Sequence, residues 1–170
     1  MSRLTLNKDI RNLKTFINWC KKKRYINNGI ELRELKEEER PVKSLNDVQI
    51  RKLLVVAEPY VAMKVRILLA LGTGLRRGDI DSLKISDIDF EKNSISTTSR
   101  KTKKSMASRP VSAEVMAKLS QYVCGLGVGQ EKLFKTKFNY RTWRRVCIKA
   151  GLTELKFHDL RKTFGSLLAQ

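Results

Sequence analysis

Two residues near the end of the chain, His158 and Arg161, have side chains whose chemistry is useful at a phosphate. They lie three positions apart, so a helix would place both on one face. An imidazole can transfer a proton near neutral pH, and a planar guanidinium can bind two oxygens of one phosphate. Since a lone histidine near an arginine is usually structural or simply exposed, this pair alone does not establish a site.

A second arginine, Arg76, follows a glycine-rich break at Gly72 and Gly74. Asp79 lies three residues further on, where a helix would let its carboxylate pair with Arg76 and orient it. An ordinary surface ion pair is an equally good interpretation of these two residues by themselves. Together with Arg161, however, Arg76 would supply two guanidinium groups, which can stabilise the charge on a phosphodiester in place of metal ions.

The stretches that contain these residues, 72–79 and 156–164, resemble the two arginine boxes of the tyrosine recombinases. This family, also called the phage integrases, breaks and rejoins DNA. The resemblance implies that Arg76 and Arg161 bind the scissile phosphate. It also implies that His158 hydrogen-bonds that phosphate or carries the proton of the nucleophile.

The same resemblance implies a catalytic lysine on a β-hairpin, in a Lys-Thr context, which indicates Lys101. Several basic residues follow one another at this point of the chain, so Lys103 is the alternative. Either ammonium group could protonate the departing 5′ oxygen of the DNA. A lysine-rich hairpin tip is otherwise simply a solvated surface.

The nucleophile of the family is a tyrosine that forms a 3′-phosphotyrosyl link, and it follows the second arginine box, as does a further His or Trp. Both would fall beyond Gln170, so we expect this chain to bind DNA without cleaving it on its own. The alternative is a DNA-binding remnant of a recombinase that is catalytically incomplete. None of the tyrosines that are present is expected to be the nucleophile: Tyr25, Tyr60, Tyr122 and Tyr140.

The charge of the chain favours a polyanionic partner. Among its 170 residues, 36 are Lys or Arg and 17 are Asp or Glu, which gives a formal net charge of +19. Each neutralised phosphate of a nucleic acid releases counterions, so we expect double-stranded DNA as the partner. A ribosome-associated protein or a binder of anionic membranes are the alternatives. The sequence contains neither a signal peptide nor a long uncharged apolar run, which argues against the membrane.

The resemblance further implies self-association on DNA, as a tetrameric synapse in a full-length protein. The three cysteines are far apart and odd in number, which indicates a reduced, cytoplasmic compartment, and with one histidine they form no plausible zinc set. We therefore expect no cofactor and a nucleoid-associated location. The basic residues expected to contact DNA are Arg77, Arg100, Lys103, Lys104, Arg141, Arg144, Arg145 and Lys162.

The carboxylates also suggest a different class of function, a magnesium-dependent nuclease. Its ligands would come from Asp79, Asp81, Asp87 and Asp89. The spacing does not favour this interpretation, because Asp79 and Asp81 would point to different faces of a helix. Asp87 and Asp89 are predicted at strand or turn positions.

Hydrophobic periodicity predicts an α+β fold that is mostly helical. Alternating residues at 85–90 and 95–98, with a third short stretch ending at Val111, predict a small antiparallel sheet. Its hairpin carries the basic run at 100–104. One segment, 61–72, is apolar on nearly every face and is therefore expected in the core. The predicted helices of this region are 46–57, 61–72, 113–123 and 139–150.

The chain divides into three parts. Residues 1–30 resemble the last helix of a helical core-binding domain, with Ile10, Leu13, Phe16, Ile17 and Cys20 at helical spacing. Residues 31–44 are mostly charged and contain a proline, which predicts a linker. Residues 45–170 resemble the recombinase catalytic domain, incomplete at its carboxyl end.

Overall fold

The computed structural model describes residues 3–27, 30–36, 44–98 and 106–169 of the chain. It is mostly helical with one small antiparallel sheet, which confirms the predicted class. Within these residues no helix is long and apolar enough to cross a membrane. Helices α1–α7 are Arg3–Lys22, Asp47–Val56, Val61–Thr73, Arg77–Asp81, Ala113–Cys124, Tyr140–Lys149 and Phe157–Leu168, and strands β1–β3 are Ile88–Asp89, Ser94–Thr98 and Met106–Pro110.

The chain forms two compact units, Met1–Pro41 and Val42–Gln170. In the first unit, residues 30–36 lie along α1. The Asn7 amide is buried there, and it donates to the carbonyl of Leu35 and accepts from its N–H, both at 2.8 Å. Part of the stretch predicted as a linker therefore belongs to the first unit, because its backbone is hydrogen-bonded to a buried side chain.

Helix α1 buries only part of its predicted apolar face. Ile17 and Cys20 are buried, whereas Leu13 and Phe16 are 47% and 58% exposed. Among the described residues of this unit, residues 30–36 lie against α1, and one such segment covers only a narrow stripe of a helix.

Helix α3 is the centre of the second unit, as its apolar sequence predicts. Met63, Val65, Ile67 and Leu69 are at most 5% exposed. The helix packs against α5, α7 and α4. Since helices contact it on several sides, α3 fixes where the residues at its carboxyl end lie, and those residues are the first arginine box.

Arg66 is an arginine inside this core, and every part of its side chain has a partner. Its Nε donates to the Asp81 carboxylate at 2.8 Å, and its Nη2 donates to the Thr136 carbonyl at 2.5 Å. Its guanidinium also lies over the ring of Phe134, 3.8 Å from the centroid. Asp81 further accepts from the N–H of Phe138 at 3.3 Å. This pair is structural, because removing one partner would leave a buried charge uncompensated.

The sheet has the order β1-β2-β3, with both pairs antiparallel. Its first strand is shorter than predicted, because residues Ile85–Asp87 form a 3₁₀ turn. The Asp87 carboxylate accepts from the N–H of Lys84 at 2.8 Å, and this local bond competes with strand pairing. Residues 99–105, which include Lys101 and the predicted DNA contacts Arg100, Lys103 and Lys104, lie outside the described residues.

The end of α3 is fixed to α7 at Gly74. Gly74 adopts the left-handed conformation, with φ 62°, and its N–H donates to the carbonyl of Ala70. A Cβ built on Gly74 would lie 2.4 Å from the ring of Phe164 on α7. The Thr73 hydroxyl donates to the Leu69 carbonyl and accepts from the N–H of Leu75, so the chain leaves the helix along one path. Only glycine satisfies both the conformation and the close packing.

The amino end of α7 is held by Asp159. Its carboxylate accepts from the backbone N–H of Lys156 at 3.0 Å and from the Lys162 ammonium at 2.8 Å. Burial alone would raise the pKa of the Asp159 carboxyl, but these hydrogen bonds and the two lysine charges together lower it. The Thr163 hydroxyl accepts from the N–H of Leu45 at 3.0 Å, which attaches the start of the second unit to the same helix.

One methyl group added at Gly74 is expected to lower the stability of the fold strongly. Gly74→Ala should lower the free energy of unfolding by roughly 2–4 kcal/mol, because the left-handed conformation and the contact with Phe164 are both unfavourable for alanine. Urea unfolding followed by circular dichroism measures this change. Adding Phe164→Leu should recover part of the loss, since the ring is the nearer obstacle.

Gly78→Ala is the matched control for this measurement. Gly78 lies in α4 with no heavy atom within 4 Å of a built Cβ, so the same substitution there should be neutral or slightly stabilising. Equal losses for Gly74→Ala and Gly78→Ala would show that the contact with α7 is unimportant.

The Asp159 carboxylate is expected to stabilise the fold to an extent that depends on pH. Because its pKa is lowered in the folded state, its contribution is present above the ordinary carboxyl pKa and is lost as pH falls through the folded value. Asp159→Asn should therefore cost roughly 1–2 kcal/mol of unfolding free energy at pH 7 and progressively less on acidification. Urea unfolding from pH 7 to pH 3 tests this, with Asp47→Asn at the exposed first turn of α2 as control. A pH-independent loss for Asp159→Asn would contradict it.

Candidate functional site

The two predicted arginine boxes meet at one hydrogen bond. Nη1 of Arg161, in the first turns of α7, donates to the carbonyl of Gly74 at 2.5 Å. Gly74 is two residues before Arg76 in the chain. The structure thus brings Arg161 to the segment that carries Arg76, although 85 positions separate the two in the sequence.

Arg76 is the residue immediately before α4, and its side chain is exposed. Its carbonyl accepts from the N–H groups of Asp79 and Ile80, at 2.9 and 3.0 Å. These bonds fix the backbone of Arg76 and leave its guanidinium free to turn towards a ligand. Among the described residues, no hydrogen bond or ion pair joins the side chains of Arg76 and Asp79, so the predicted pairing is not formed here.

Arg161 lies in a field dominated by positive charge. Partial burial lowers the pKa of its guanidinium first of all, and repulsion from Arg76 and Arg109 lowers it further. The Asp79 carboxylate opposes this shift. The charges that act on Arg161 are therefore positive on balance, and an anion bound beside Arg161 would relieve this repulsion.

His158 lies on the first turn of α7, three residues before Arg161, and its side chain is exposed. The helix places the two side chains on neighbouring positions of one face, as the spacing predicted. Lys162, predicted to contact DNA, has its ammonium 2.8 Å from Asp159. Part of its charge is therefore already used within the protein.

The predicted DNA contacts on α6 form an exposed basic face. Arg141, Arg144 and Arg145 are exposed, whereas Trp143 and Val146 on the opposite face of the helix are buried. This separation is what the amphipathic pattern predicted.

Arg77 is also exposed, and its guanidinium lies over the ring of Phe138, 5.2 Å from the centroid. The other predicted basic contacts, and the two candidates for the catalytic lysine, are not among the described residues: Arg100, Lys101, Lys103 and Lys104.

The carboxylates considered as magnesium ligands have other partners. Asp81 pairs with Arg66, Asp87 accepts from the N–H of Lys84, and Asp89 accepts from the N–H of Lys92 at 2.8 Å. Within the described part of the chain, no three metal-binding side chains form a group. These bonds favour structural roles for the three aspartates.

The tyrosines of the second unit differ in their surroundings. Tyr122 packs against Phe134, and burial raises the pKa of its phenol, an effect that the charge of Arg66 opposes. Tyr60 is half-buried at the start of α3. Tyr140 is 61% exposed at the first position of α6, 6.4 Å from the ring of Phe138. Tyr25, which belongs to the first unit, is 69% exposed.

Sequence reasoning missed Arg109, whose charge acts on Arg161. Arg109 lies on β3 opposite Ile95 of β2, and Ile95 is fully buried. Residues that face each other across an antiparallel pair lie on the same side of the sheet. The available signal was the strand period, since Arg109 occupies an inward position of a predicted strand where an apolar residue is expected.

The curated proteins that this chain resembles in sequence are tyrosine recombinases. A sequence model described as the phage integrase family matches residues 43–170. A tyrosine recombinase XerA of Saccharolobus solfataricus is 32% identical over 148 residues, which are 85% of this chain and 49% of that protein. A XerA of Pyrococcus furiosus is 30% identical over 136 residues, 73% of this chain and 47% of that protein. The chain therefore spans about half the length of these curated relatives.

Solved structures share the fold. The Tn1549 transposon integrase in complex with transposon right end DNA matches 99% of this chain and 67% of its own, with a TM-score of 0.82 and 21% identity. A crystal structure of XerA recombinase matches 99% of this chain and 63% of its own, with a TM-score of 0.67 and 23% identity. The family match over residues 43–170 and the shared fold agree with the family that the two arginine boxes indicated. The chain belongs to the phage integrase family of tyrosine recombinases.

Proposed function

We propose that this chain binds double-stranded DNA and activates a phosphodiester for site-specific recombination or integration. The observation that carries the proposal is the hydrogen bond from Arg161 to the Gly74 carbonyl, because it brings together the two arginines that the family uses at the phosphate. The relatives are named as tyrosine recombinases, and one fold neighbour was solved with DNA. Whole-protein activity is part of the proposal, since the chain spans half of those relatives.

The proposed chemistry is metal-free. In-line attack on a phosphodiester concentrates negative charge on its non-bridging oxygens, and Arg76 and Arg161 would stabilise that charge. His158, on the same helix face as Arg161, would hydrogen-bond the phosphate or carry the nucleophile's proton. Lys101, or alternatively Lys103, would protonate the departing 5′ oxygen. Attack by a tyrosine would leave a reversible 3′-phosphotyrosyl link.

The DNA would lie against the exposed basic side chains around this site. Arg144 and Arg145 on α6 and Arg77 on α4 are exposed. The net charge of +19 favours any duplex irrespective of its sequence. Assembly of four full-length protomers on DNA is part of the same proposal and follows from the family alone.

The second candidate function is a DNA-binding protein that does not cleave on its own. The observation that favours it is the placement of the four tyrosines. Tyr122 packs in the second unit, Tyr60 is half-buried beside α3, and Tyr140 precedes the second arginine box in the chain. A phenol attacks only when it is placed in line with the phosphate, so we propose that the nucleophile is supplied from outside these 170 residues.

The first prediction of this proposal concerns salt. Affinity for a random DNA duplex should fall about a thousandfold between about 50 and 200 mM salt, because binding releases counterions from several neutralised phosphates. Fluorescence anisotropy of a labelled duplex measures the slope of log affinity against log salt. Affinity that is unchanged over this range would exclude DNA binding of this kind.

Single substitutions on two helices provide a matched comparison. Arg144→Gln on α6 should reduce the salt slope by about one unit, because one phosphate contact is lost. Arg51→Gln on the exposed face of α2 should leave the slope unchanged, since Arg51 is outside the proposed surface. Identical slopes for the two variants would show that α6 does not face the DNA.

The second prediction concerns the covalent step. The 170-residue chain should bind DNA and form no covalent adduct with it. The test is a set of nicked suicide duplexes incubated with the chain, followed by denaturing electrophoresis and peptide mapping. A relative with a complete site serves as the positive control on its own duplex. An adduct at Tyr140, or at any other tyrosine of the chain, would make the proposal of an external nucleophile wrong.

A further inference from the structure

Arg109 is placed where a strand normally presents an apolar side chain to the core. On β3 its neighbours Ser108 and Pro110 are exposed, while Val111, two positions on, is 6% exposed. Its partner across the sheet is Ile95, which has no exposed surface. The alternation therefore directs the Arg109 side chain to the covered side of the sheet.

The inward position of Arg109 is not compensated by the protein. Its Nε is buried and has no hydrogen-bond partner, and no carboxylate among the described residues forms an ion pair with it. Arg66 shows the contrast, because that buried arginine uses Nε, Nη1 and Nη2 in bonds to Asp81, Ala62 and Thr136. A structural arginine in this fold is fully paired, and Arg109 is not.

The charge of Arg109 also acts on Arg161. Arg76 and Arg109 both repel the Arg161 guanidinium, and the Asp79 carboxylate opposes them. Among the described residues, Arg161 donates only to the Gly74 carbonyl, so its remaining N–H groups are available. The surroundings of Arg161 are therefore positively charged on balance.

We propose that Arg109 is a third phosphate-binding guanidinium of this site, placed by β3 opposite Ile95, and that its unpaired Nε side binds an oxygen of the same phosphoryl group as Arg76 and Arg161. This inference rests on the proposed function, because it assigns a further residue to that phosphate. The two non-bridging oxygens of a phosphodiester can each accept more than one hydrogen bond, so the group has enough acceptor capacity for three guanidinium partners. A buried donor that gains a hydrogen bond to the ligand no longer carries the cost of being unsatisfied.

The test uses inorganic phosphate as the probe and the whole 170-residue chain. Isothermal titration at constant ionic strength, in a buffer without other oxyanions, compares the parent with Arg109→Gln, Arg109→Leu, Arg161→Gln and the control Arg51→Gln. Arg109→Gln and Arg161→Gln should each weaken phosphate binding about tenfold, the loss expected for one charge-assisted hydrogen bond. Arg51→Gln should stay within about twofold of the parent, because it removes only an exposed charge.

Thermal unfolding separates a ligand role from a structural one. Arg109→Leu replaces a half-buried arginine, whose buried Nε has no hydrogen-bond partner, with an apolar side chain opposite Ile95. In phosphate-free buffer the melting temperature of this variant should therefore equal or exceed that of the parent. Added phosphate should raise the melting temperature of the parent and of Arg51→Gln more than that of either Arg109 variant.

The outcomes distinguish this inference from the function on which it rests. If Arg161→Gln loses phosphate affinity while both Arg109 variants keep that of the parent, the inference about Arg109 is wrong and the proposed function stands. If Arg161→Gln also keeps the parent's affinity, the arginine site does not bind phosphate and both are wrong. A lower melting temperature for Arg109→Leu, with unchanged phosphate affinity, would assign Arg109 to the fold.

Discussion

The contact between Gly74 and α7 is the constraint on which the site depends. The left-handed glycine ends α3 directly against the ring of Phe164, and its carbonyl accepts from Arg161 one helical turn earlier on α7. A side chain at this position would separate the two helices. Because α3 is buried in the second unit, the close approach also fixes Arg76 two residues later. One tight backbone contact thus sets the geometry of both arginine boxes.

The structure separates arginines that hold the fold from arginines that remain available. Arg66 is buried and bonded to a carboxylate, to two carbonyls and to an aromatic face, so its charge is fully compensated. Arg76 and Arg109 both repel the guanidinium of Arg161, and the Asp79 carboxylate opposes them. Holding like charges together lowers stability, and a packed scaffold tolerates this where an anionic ligand restores the balance.

Several features of the fold follow from the sequence, and their exceptions have local causes. The helices at 46–57, 61–72, 113–123 and 139–150 agree with the structure to within one or two residues, because their apolar positions repeat with the helical period. Within the predicted strand at 85–90, residues Ile85–Asp87 form a 3₁₀ turn instead, since the Asp87 carboxylate accepts from the nearby N–H of Lys84. In α1, Leu13 and Phe16 are exposed although they lie at helical spacing, because the described segment 30–36 covers only a narrow stripe of the helix.

By itself, the sequence determined the family and the identity of the arginine boxes, because short motifs and residue order survive without coordinates. It also determined the net charge of +19, which depends only on composition. Only the tertiary structure determined which charged side chains act on one another. Strand pairing sets Arg109 opposite Ile95, and the Asp79 carboxylate acts on the charge of Arg161 rather than in a bonded pair with Arg76. Such neighbours depend on contacts between residues far apart in the chain, which no local pattern encodes.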